Sequence, residues 1–416
     1  MAIDAANNDL ASTSRSASWR AFGVIFLSRF ALNLQFRIVY PFLPAISRGL
    51  GVPLETASLL LVARALVGAT SPLYGALADR HGRRALMLTG LVALVAGSLL
   101  VAVAPAFGVM LAAFALLGLC KASYDPAMQA LVGDALPYEQ RGRVLSLLEL
   151  PWALAWLIGV PATGFLIAAF GWQSPFWLIA ALGSASVLLT LWIIPPSRRG
   201  DAHGPPAARS APQSADRSLT PVRLSLPRWV TWPVIMALTV TFLLMLAIEN
   251  VFVVYGAWLE NQFGLSVTVL GVASIVISLA ELTAEGGAAA LVDRLGKRRA
   301  VLGGLLLTIA AYVVLPLVAG TLAGALGGVT LMFLAFEFSI VCMVPLVSEL
   351  APEARGTVLA FNVAAMAAAR AVSALTAPRL WAIGGLTLNA SVSTAAAIVA
   401  ALIMWRGIKE RRQSTS

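Results

Sequence analysis

Long apolar segments separated by short polar ones run through almost the whole chain. A membrane-spanning helix needs about 20 mostly apolar residues, within a range of roughly 17–25. Such segments, numbered here as spans 1 to 12, lie at 20–43, 55–78, 85–105, 107–130, 143–168, 173–194, 231–255, 267–290, 300–320, 323–348, 357–379 and 386–406. Because lipid cannot satisfy free backbone N–H and C=O groups, each is predicted to be a helix. The pattern predicts an all-α membrane protein with twelve transmembrane helices.

One long polar stretch divides the spans into two sets of six. Residues 195–228 carry Pro, Ser, Ala and Arg with almost no apolar periodicity, which is typical of a disordered linker. We therefore expect a tail at 1–19, a six-helix bundle at 20–194, the linker at 195–228, a second six-helix bundle at 229–406 and a tail at 407–416. Residues 1–18 are polar and predict no signal peptide, so the first helix is expected to be an uncleaved anchor.

Composition agrees with a chain whose exterior faces lipid. Of the 416 residues, 59% are hydrophobic and 12% are charged, against about 45–50% and 25% in soluble domains. The net charge of +10 comes from cations in short gaps between apolar segments, not from a basic face, so nucleic acid is not expected as a partner. With both termini in the cytoplasm, 22 cations would lie inside and only Arg48 and Arg379 outside, as the positive-inside rule requires.

Residues for catalysis or metal binding are scarce. The two cysteines, Cys120 and Cys342, lie within apolar segments, and the two histidines lie in polar stretches. This spacing indicates neither a metal site nor a disulfide framework, and we expect no cofactor. We find no Ser/His/Asp set and no nucleotide-binding loop, so an enzyme or an ATP-driven pump is not expected. A non-transporting receptor or membrane enzyme remains a remote alternative.

An internal repeat links the two halves. The segment Gly75-Ala-Leu-Ala-Asp79-Arg80-His81-Gly82-Arg83-Arg84 follows span 2, and Ala289-Ala-Leu-Val-Asp293-Arg294-Leu295-Gly296-Lys297-Arg298-Arg299 follows span 8. Asp79 and Asp293 are 214 residues apart. The Arg-Gly pairs that precede spans 5 and 11, at Arg141 and Arg355, have the same offset. Two loops with one offset indicate a duplicated sequence.

The first of these loops resembles the signature between helices 2 and 3 of the major facilitator superfamily, Gly-x-x-x-Asp-Arg-x-Gly-Arg-Arg. The resemblance covers nearly the whole chain, and it implies two pseudo-symmetric six-helix bundles around a central cavity lined by spans 1, 4, 7 and 10. It also implies that residues of the two loops help to lock the cytoplasmic side when the transporter faces outward; the alternative is that the loop cations only set the topology. The gating residues would be Gly75, Asp79, Arg80, Gly82, Arg83, Asp293, Arg294 and Gly296. A second segment, Gly159-Val-Pro161-Ala-Thr-Gly164-Phe165 in span 5, resembles a degenerate Gly-Pro-x-x-Gly-Gly segment of proton-coupled drug antiporters.

Ionisable residues within the spans are the candidate site. Each costs at least roughly 2.5–3.5 kcal/mol if it faces lipid, so such residues line a cavity or form pairs. The candidates are Arg29, Arg37, Arg64, Lys121, Asp125, Glu149, Glu249, Glu281, Glu285, Glu337 and Arg370. The first half supplies mainly cations and the second mainly carboxylates, which favours ion pairs across the interface between the halves.

Helical spacing selects among these candidates. Arg29, Asn33 and Arg37 share one face of span 1, and Lys121 and Asp125 share one face of span 4. We expect the carboxylates Asp125, Glu249 and Glu337 to bind protons or substrate. The cations Arg29, Arg37, Lys121 and Arg370 would attract an anionic group or act as counter-ions, whereas fixed salt bridges that join helices are the structural alternative. Glu149 and Glu285 are placed near the cytoplasmic ends, as gating or snorkelling residues.

The expected function follows from the resemblance to drug and sugar efflux permeases. We expect a monomer in the bacterial inner membrane that moves a small-molecule substrate by alternating access, with proton-coupled efflux as the first hypothesis. Its other partners would be protons and the lipid bilayer. Uptake or facilitated transport of an organic anion is the alternative, favoured by the cations of span 1.

Overall fold

The computed structural model describes residues 2–103, 106–136, 138–195 and 229–407. The side chains at positions 2–18, 75, 76, 79, 138–143 and 293 lie outside this description. The predicted linker, the outer parts of both predicted tails and three predicted gating side chains (Gly75, Asp79 and Asp293) therefore lie outside the described residues.

The first half contains six crossings. Span 1 is α1 (Ala2–Leu50); span 2 comprises α2 (Leu54–Ala57), α3 (Leu59–Gly68) and α4 (Ser71–His81); span 3 is α5 (Arg83–Val103). Span 4 is α6 (Phe107–Ala135); span 5 comprises α7 (Tyr138–Leu154), a π-helical turn (Ala155–Gly159) and α8 (Val160–Phe170); span 6 is α9 (Ser174–Ile193).

The second half repeats this arrangement. Span 7 comprises α10 (Trp232–Phe252) and α11 (Tyr255–Phe263), span 8 comprises α12 (Val267–Ala273) and α13 (Ile275–Leu295), span 9 is α14 (Lys297–Val318), and span 10 is α15 (Leu322–Leu350). After a 3-10 turn (Pro352–Ala354), α16 (Arg355–Gly407) holds both spans 11 and 12. Non-helical torsion angles at Gly384 and Gly385 divide it, and φ of +58° at Gly385 suits glycine.

The structure confirms the predicted fold. Eleven described segments are long and apolar enough to cross a bilayer, and the last, Pro352–Gly407, is 56 residues long, enough for two crossings. Large apolar side chains cover the outer surface, among them Trp192, Leu317 and Ile383, which are 79–83% exposed. In a solvent of lipid this exposure carries no cost, so the exterior is that of a membrane protein.

The duplication is visible in the contacts that brace each half. Arg84 donates to the carbonyl oxygen of Leu191 at 2.6 Å, and Arg298, 214 residues later, donates to that of Trp405 at the same distance. Both bonds attach the start of a span to the carboxyl end of the last span in its half, where a cation is favoured by the helix dipole. The signature arginines therefore stabilise each bundle internally.

The halves pack closely at one end of the molecule. We call the end at which span 1 begins and span 12 finishes the terminal end, and the opposite one the distal end. At the distal end Gly164 of span 5 packs against Val267 and Gly271 of span 8, and Gly256 of span 7 packs against the carbonyl group of Pro41 in span 1. A Cβ added at Gly256 would lie 2.1 Å from the Pro41 oxygen. The distal end is therefore closed by backbone contacts that only glycine permits.

Candidate functional site

A cavity of about 740 Å³ lies between the halves. Its wall is formed by spans 1, 2, 4, 5, 7 and 11. Span 10, which the family resemblance places in the lining, supplies no described residue to this wall; span 2, span 5 and span 11 do so instead. The exposed residues Gln129 and Thr357 belong to the wall at the terminal end. The cavity therefore opens toward the terminal end and is closed beneath the distal contacts.

One group of charges joins spans 1, 4 and 5. Lys121 forms an ion pair with Asp125 at 2.9 Å and donates to Asn33 Oδ1 at 2.9 Å. Arg29 makes two hydrogen bonds to Glu149, at 2.8 and 3.0 Å, and lies 4.0 Å from Asp125. The predicted faces of spans 1 and 4 thus meet. Glu149, interpreted from the sequence as a gating or snorkelling residue, is the bidentate partner of the buried Arg29 and is itself 52% exposed.

A second group crosses the interface between the halves. Arg37 of span 1 makes two hydrogen bonds of 2.8 Å to Glu281 of span 8, and both side chains are almost fully buried, at 4% and 3% exposed. The Arg37 guanidinium carbon lies 3.5 Å from the ring centre of Trp152 and 4.9 Å from that of Trp156. Glu337 lies close enough to Arg37 to interact with it electrostatically, but it forms no ion pair with a described residue.

A third group lies in the cavity wall. Arg370 Nε donates to Glu249 Oε1 at 2.9 Å, and the hydroxyl group of Tyr40 donates to the same oxygen at 3.2 Å. Arg64 donates to the carbonyl oxygen of Phe36 at 3.0 Å, and its guanidinium carbon lies 4.1 Å from the ring centre of Phe36. Glu249 therefore connects the two halves, because Tyr40 belongs to span 1 and Arg370 to span 11.

The predicted gating loops lie at the terminal end. Arg83 forms an ion pair with Asp134 at 2.7 Å, and Lys297 pairs with Glu349. Gly82 and Gly296, with φ of +90° and +81°, begin the following helices in a conformation that favours glycine. Arg80 and Arg294 are exposed. The Arg83–Asp134 pair therefore lies within the first half and the Lys297–Glu349 pair within the second.

Three residues of the site were not selected from the sequence as functional candidates. Glu281 and Arg64 were recognised as costly charges but not selected, and Trp152, which stacks on Arg37, was not considered. The cost of burial identifies such charges, whereas their partners depend on the rotation of each helix about its axis. A signal for Trp152 was available, since an aromatic residue near several buried cations favours cation–π contacts.

Gly118 sets the position of Arg64. A Cβ at Gly118 would lie 2.3 Å from the carbonyl oxygen of Arg64, so spans 2 and 4 are in backbone contact at this point. We expect Gly118→Ala to lower the free energy of unfolding by about 1–3 kcal/mol, because a backbone clash cannot be relieved by a rotamer change. Thermal unfolding in detergent measures this. The control is Gly108→Ala in the same span, where no atom lies within 4 Å; equal melting temperatures for the two variants would contradict the prediction.

Comparison of the sequence with known protein families shows the family to which this chain belongs. A family model described as Major Facilitator Superfamily matches residues 25–374 and 237–415. The chain belongs to the major facilitator superfamily. A curated superfamily relative, the uncharacterized MFS-type transporter YceJ of Bacillus subtilis (strain 168), is 26% identical over 355 residues, which cover 85% of this chain and 86% of the relative.

Other superfamily members resemble it over different lengths. The multi-drug resistance efflux pump PmrA homolog of Lactococcus lactis subsp. lactis (strain IL1403) is 27% identical over 187 residues, 44% of this chain and 46% of the relative. The crystal structure of a D-xylose-proton symporter has the same fold, with a TM-score of 0.73 and 18% identity over 94% of this chain and 98% of that one. The protein is therefore a superfamily transporter with many apolar membrane helices.

Proposed function

We propose that the protein exports a small organic solute in exchange for protons, by alternating access across a bacterial inner membrane. The observation that carries this proposal is the charged cavity between the halves, open at one end and closed at the other by glycine contacts. Such a cavity admits a solute from one side only, and rocking of the halves would expose it to the other. We further propose that the protein acts as a monomer.

The distribution of cations supports an inward-facing orientation for this conformation. The terminal end carries the arginines and lysines of both signature loops, whereas the distal end carries Arg48 and Arg379. By the positive-inside rule the terminal end, with both termini, is cytoplasmic. The open cavity then faces the cytoplasm, as the loading state of an exporter requires.

Glu249 is the proposed proton-binding residue. It is buried, its Oε1 accepts hydrogen bonds from both halves, and it lines the cavity. Burial disfavours the charged form of a carboxyl group and a nearby arginine favours it. Movement of the halves that separates Glu249 of the second half from the Tyr40 hydroxyl group of the first half would therefore change its affinity for a proton. Glu337, which lies near Arg37 without forming an ion pair, is proposed as a second proton-binding carboxylate.

The experiment uses purified protein in proteoliposomes with an acidic lumen. Uptake of three probes, ethidium, 2-naphthoate and D-xylose, is measured with the pH gradient present and after its collapse by an ionophore. A one-proton exchange across about two pH units sustains up to about a hundredfold accumulation, since each tenfold is worth about 1.4 kcal/mol. We expect at least one probe to accumulate only with the gradient.

Substitution of the carboxylates tests the coupling. Glu249→Gln and Glu337→Gln are expected to abolish gradient-driven accumulation while exchange of probe across the membrane at equal pH continues. Glu55→Gln, which removes a carboxylate from the start of span 2 outside the cavity wall, is the matched control and should behave as the wild type. If the wild-type protein accumulates the probe equally with and without the pH gradient, the proposed proton coupling is wrong.

A further inference from the structure

Arg64 differs from the other buried cations of the spans. It is the arginine of α3, the residue is 4% exposed, and it lines the cavity. Arg29, Arg37, Lys121 and Arg370 each lie within 4.0 Å of a carboxylate oxygen. Among the described residues, no carboxylate oxygen comes that close to Arg64, whose hydrogen bond goes to the neutral carbonyl group of Phe36.

An arginine without a carboxylate partner is unusual at this depth. A charge placed within a membrane protein normally pairs or faces water, because desolvation without compensation is costly. The described charges in the cavity wall are Arg64, Lys121 and Arg370 against Asp125 and Glu249, so the wall has an excess of one positive charge. The cavity wall thus holds a cation that an incoming anion would neutralise.

The surroundings of Arg64 suit a bound anionic group. The guanidinium groups of Arg64 and Arg370 lie 4.1 and 5.1 Å from the ring centre of Phe36, so two arginines approach the same ring. Arg370 contacts Glu249 through Nε, and no hydrogen bond from its terminal nitrogens to a described residue is present. A planar carboxylate matches the guanidinium fork and binds it through paired charge-assisted hydrogen bonds.

The remaining residues of the cavity wall indicate that the uncharged part of the ligand is apolar. Apolar side chains predominate, including Leu61, Leu117, Leu359 and Val363. A cavity of about 740 Å³ lies within the range of roughly 300–1,000 Å³ of small-molecule sites. A solute with an apolar or aromatic body would bury that body here while its charged group remains at the guanidinium.

The geometry points to a substrate that is an organic monoanion with an apolar body, whose carboxylate binds Arg64 with assistance from Arg370. This assignment rests on the proposed transport function, which it extends by naming the substrate class and the anchoring residue. Gly118 supports this site, because its contact with the Arg64 backbone sets how closely spans 2 and 4 approach where Arg64 enters the wall.

Binding of matched probes tests the assignment. The probes are 2-naphthoate, 2-naphthamide and 2-naphthylmethylamine, which share one apolar body and differ in charge. Binding to full-length protein in nanodiscs is measured by equilibrium dialysis. We expect wild-type protein to bind the carboxylate about 10- to 100-fold more tightly than the amide, as a charge-assisted pair provides, and to bind the amine most weakly.

Variants assign the preference to a residue. Arg64→Gln should reduce the preference for the carboxylate to about threefold or less, and Arg64→Lys should restore part of it because a lysine keeps the charge but not the paired geometry. Arg379→Gln, which removes an exposed arginine at the distal end, is the control and should keep the full preference. Melting temperatures show whether each variant is folded.

The outcomes separate this assignment from the transport proposal. Wild-type protein that binds the amine or the amide as tightly as the carboxylate overturns the assignment, whether or not Arg64→Gln folds. A full preference retained in folded Arg64→Gln also overturns it. If the carboxylate preference depends on Arg64 but no probe is transported in proteoliposomes, the binding site stands and the proposed function fails.

Discussion

Replacing Glu281 with glutamine should strongly destabilise the protein, because it breaks a buried ion pair between the halves. The substitution leaves Arg37 buried at 4% exposure without its carboxylate partner. Removing one member of a buried pair typically costs about 3–5 kcal/mol, because the remaining charge is uncompensated. We expect a clearly lower melting temperature in detergent and loss of transport in proteoliposomes.

A double-mutant cycle tests whether the pair is the cause. Arg37→Gln and Glu281→Gln together should cost less than the sum of the single changes, with a coupling energy of about 0.5–3 kcal/mol. The control is Arg48→Gln, which breaks another ion pair across the halves, to Glu260, where the arginine is 58% exposed. An exposed pair contributes about 0–1 kcal/mol. Equal effects of Glu281→Gln and Arg48→Gln would show that burial does not set the strength of these pairs.

Replacing Gly256 with valine should block closure of the distal end. The added Cβ would lie 2.1 Å from the backbone oxygen of Pro41, so spans 1 and 7 must separate. A misfit of this kind costs about 1–3 kcal/mol, which corresponds to about a 5- to 150-fold change in the ratio of two states. Transport should fall by a similar factor, and the population should move toward the conformation that is closed at the terminal end.

Thiol labelling measures that population. In a background with Cys120→Ala and Cys342→Ala, Gln129→Cys places a thiol on the cavity wall near the terminal end. Its labelling rate with a polar maleimide should fall when Gly256→Val is added. Gly303→Val, at an exposed glycine with no atom within 4 Å of a new Cβ, should leave the rate unchanged. Faster labelling in Gly256→Val would mean that the contact does not close the distal end.

Much of the fold could be predicted from the sequence, because the apolar composition of each segment shows whether that segment lies in the membrane. A run of about 20 apolar residues predicts a crossing wherever it occurs, and the 214-residue offset relates the two halves without any knowledge of contacts. The junction between spans 11 and 12 was predicted near residues 380–385, and the structure places the break at Gly384 and Gly385. These features depend on composition and local backbone preference.

The partners within the site could be predicted less well. Lys121 and Asp125 pair as their spacing indicates, because both lie on one helix. The partner of Arg37 is Glu281 in span 8, 244 residues away, and one residue of sequence corresponds to about 100° of helix rotation. A small error in the rotation of span 8 would point Glu281 away from Arg37. The Glu149 partner could not be predicted for the same reason, since nothing local shows that Glu149 faces Arg29.

The braces formed by Arg84 and Arg298 are duplicated, but the charges of the cavity are not. The residues 214 positions after Arg64 and Lys121 are Ser278 and Ala335, so neither cation has a counterpart in the second half. Two identical halves related by an axis along the membrane normal would present every charge of the cavity twice. In this protein the charges of Arg64 and Lys121 occur once, so the two sides of the cavity differ and a solute has a preferred orientation about that axis.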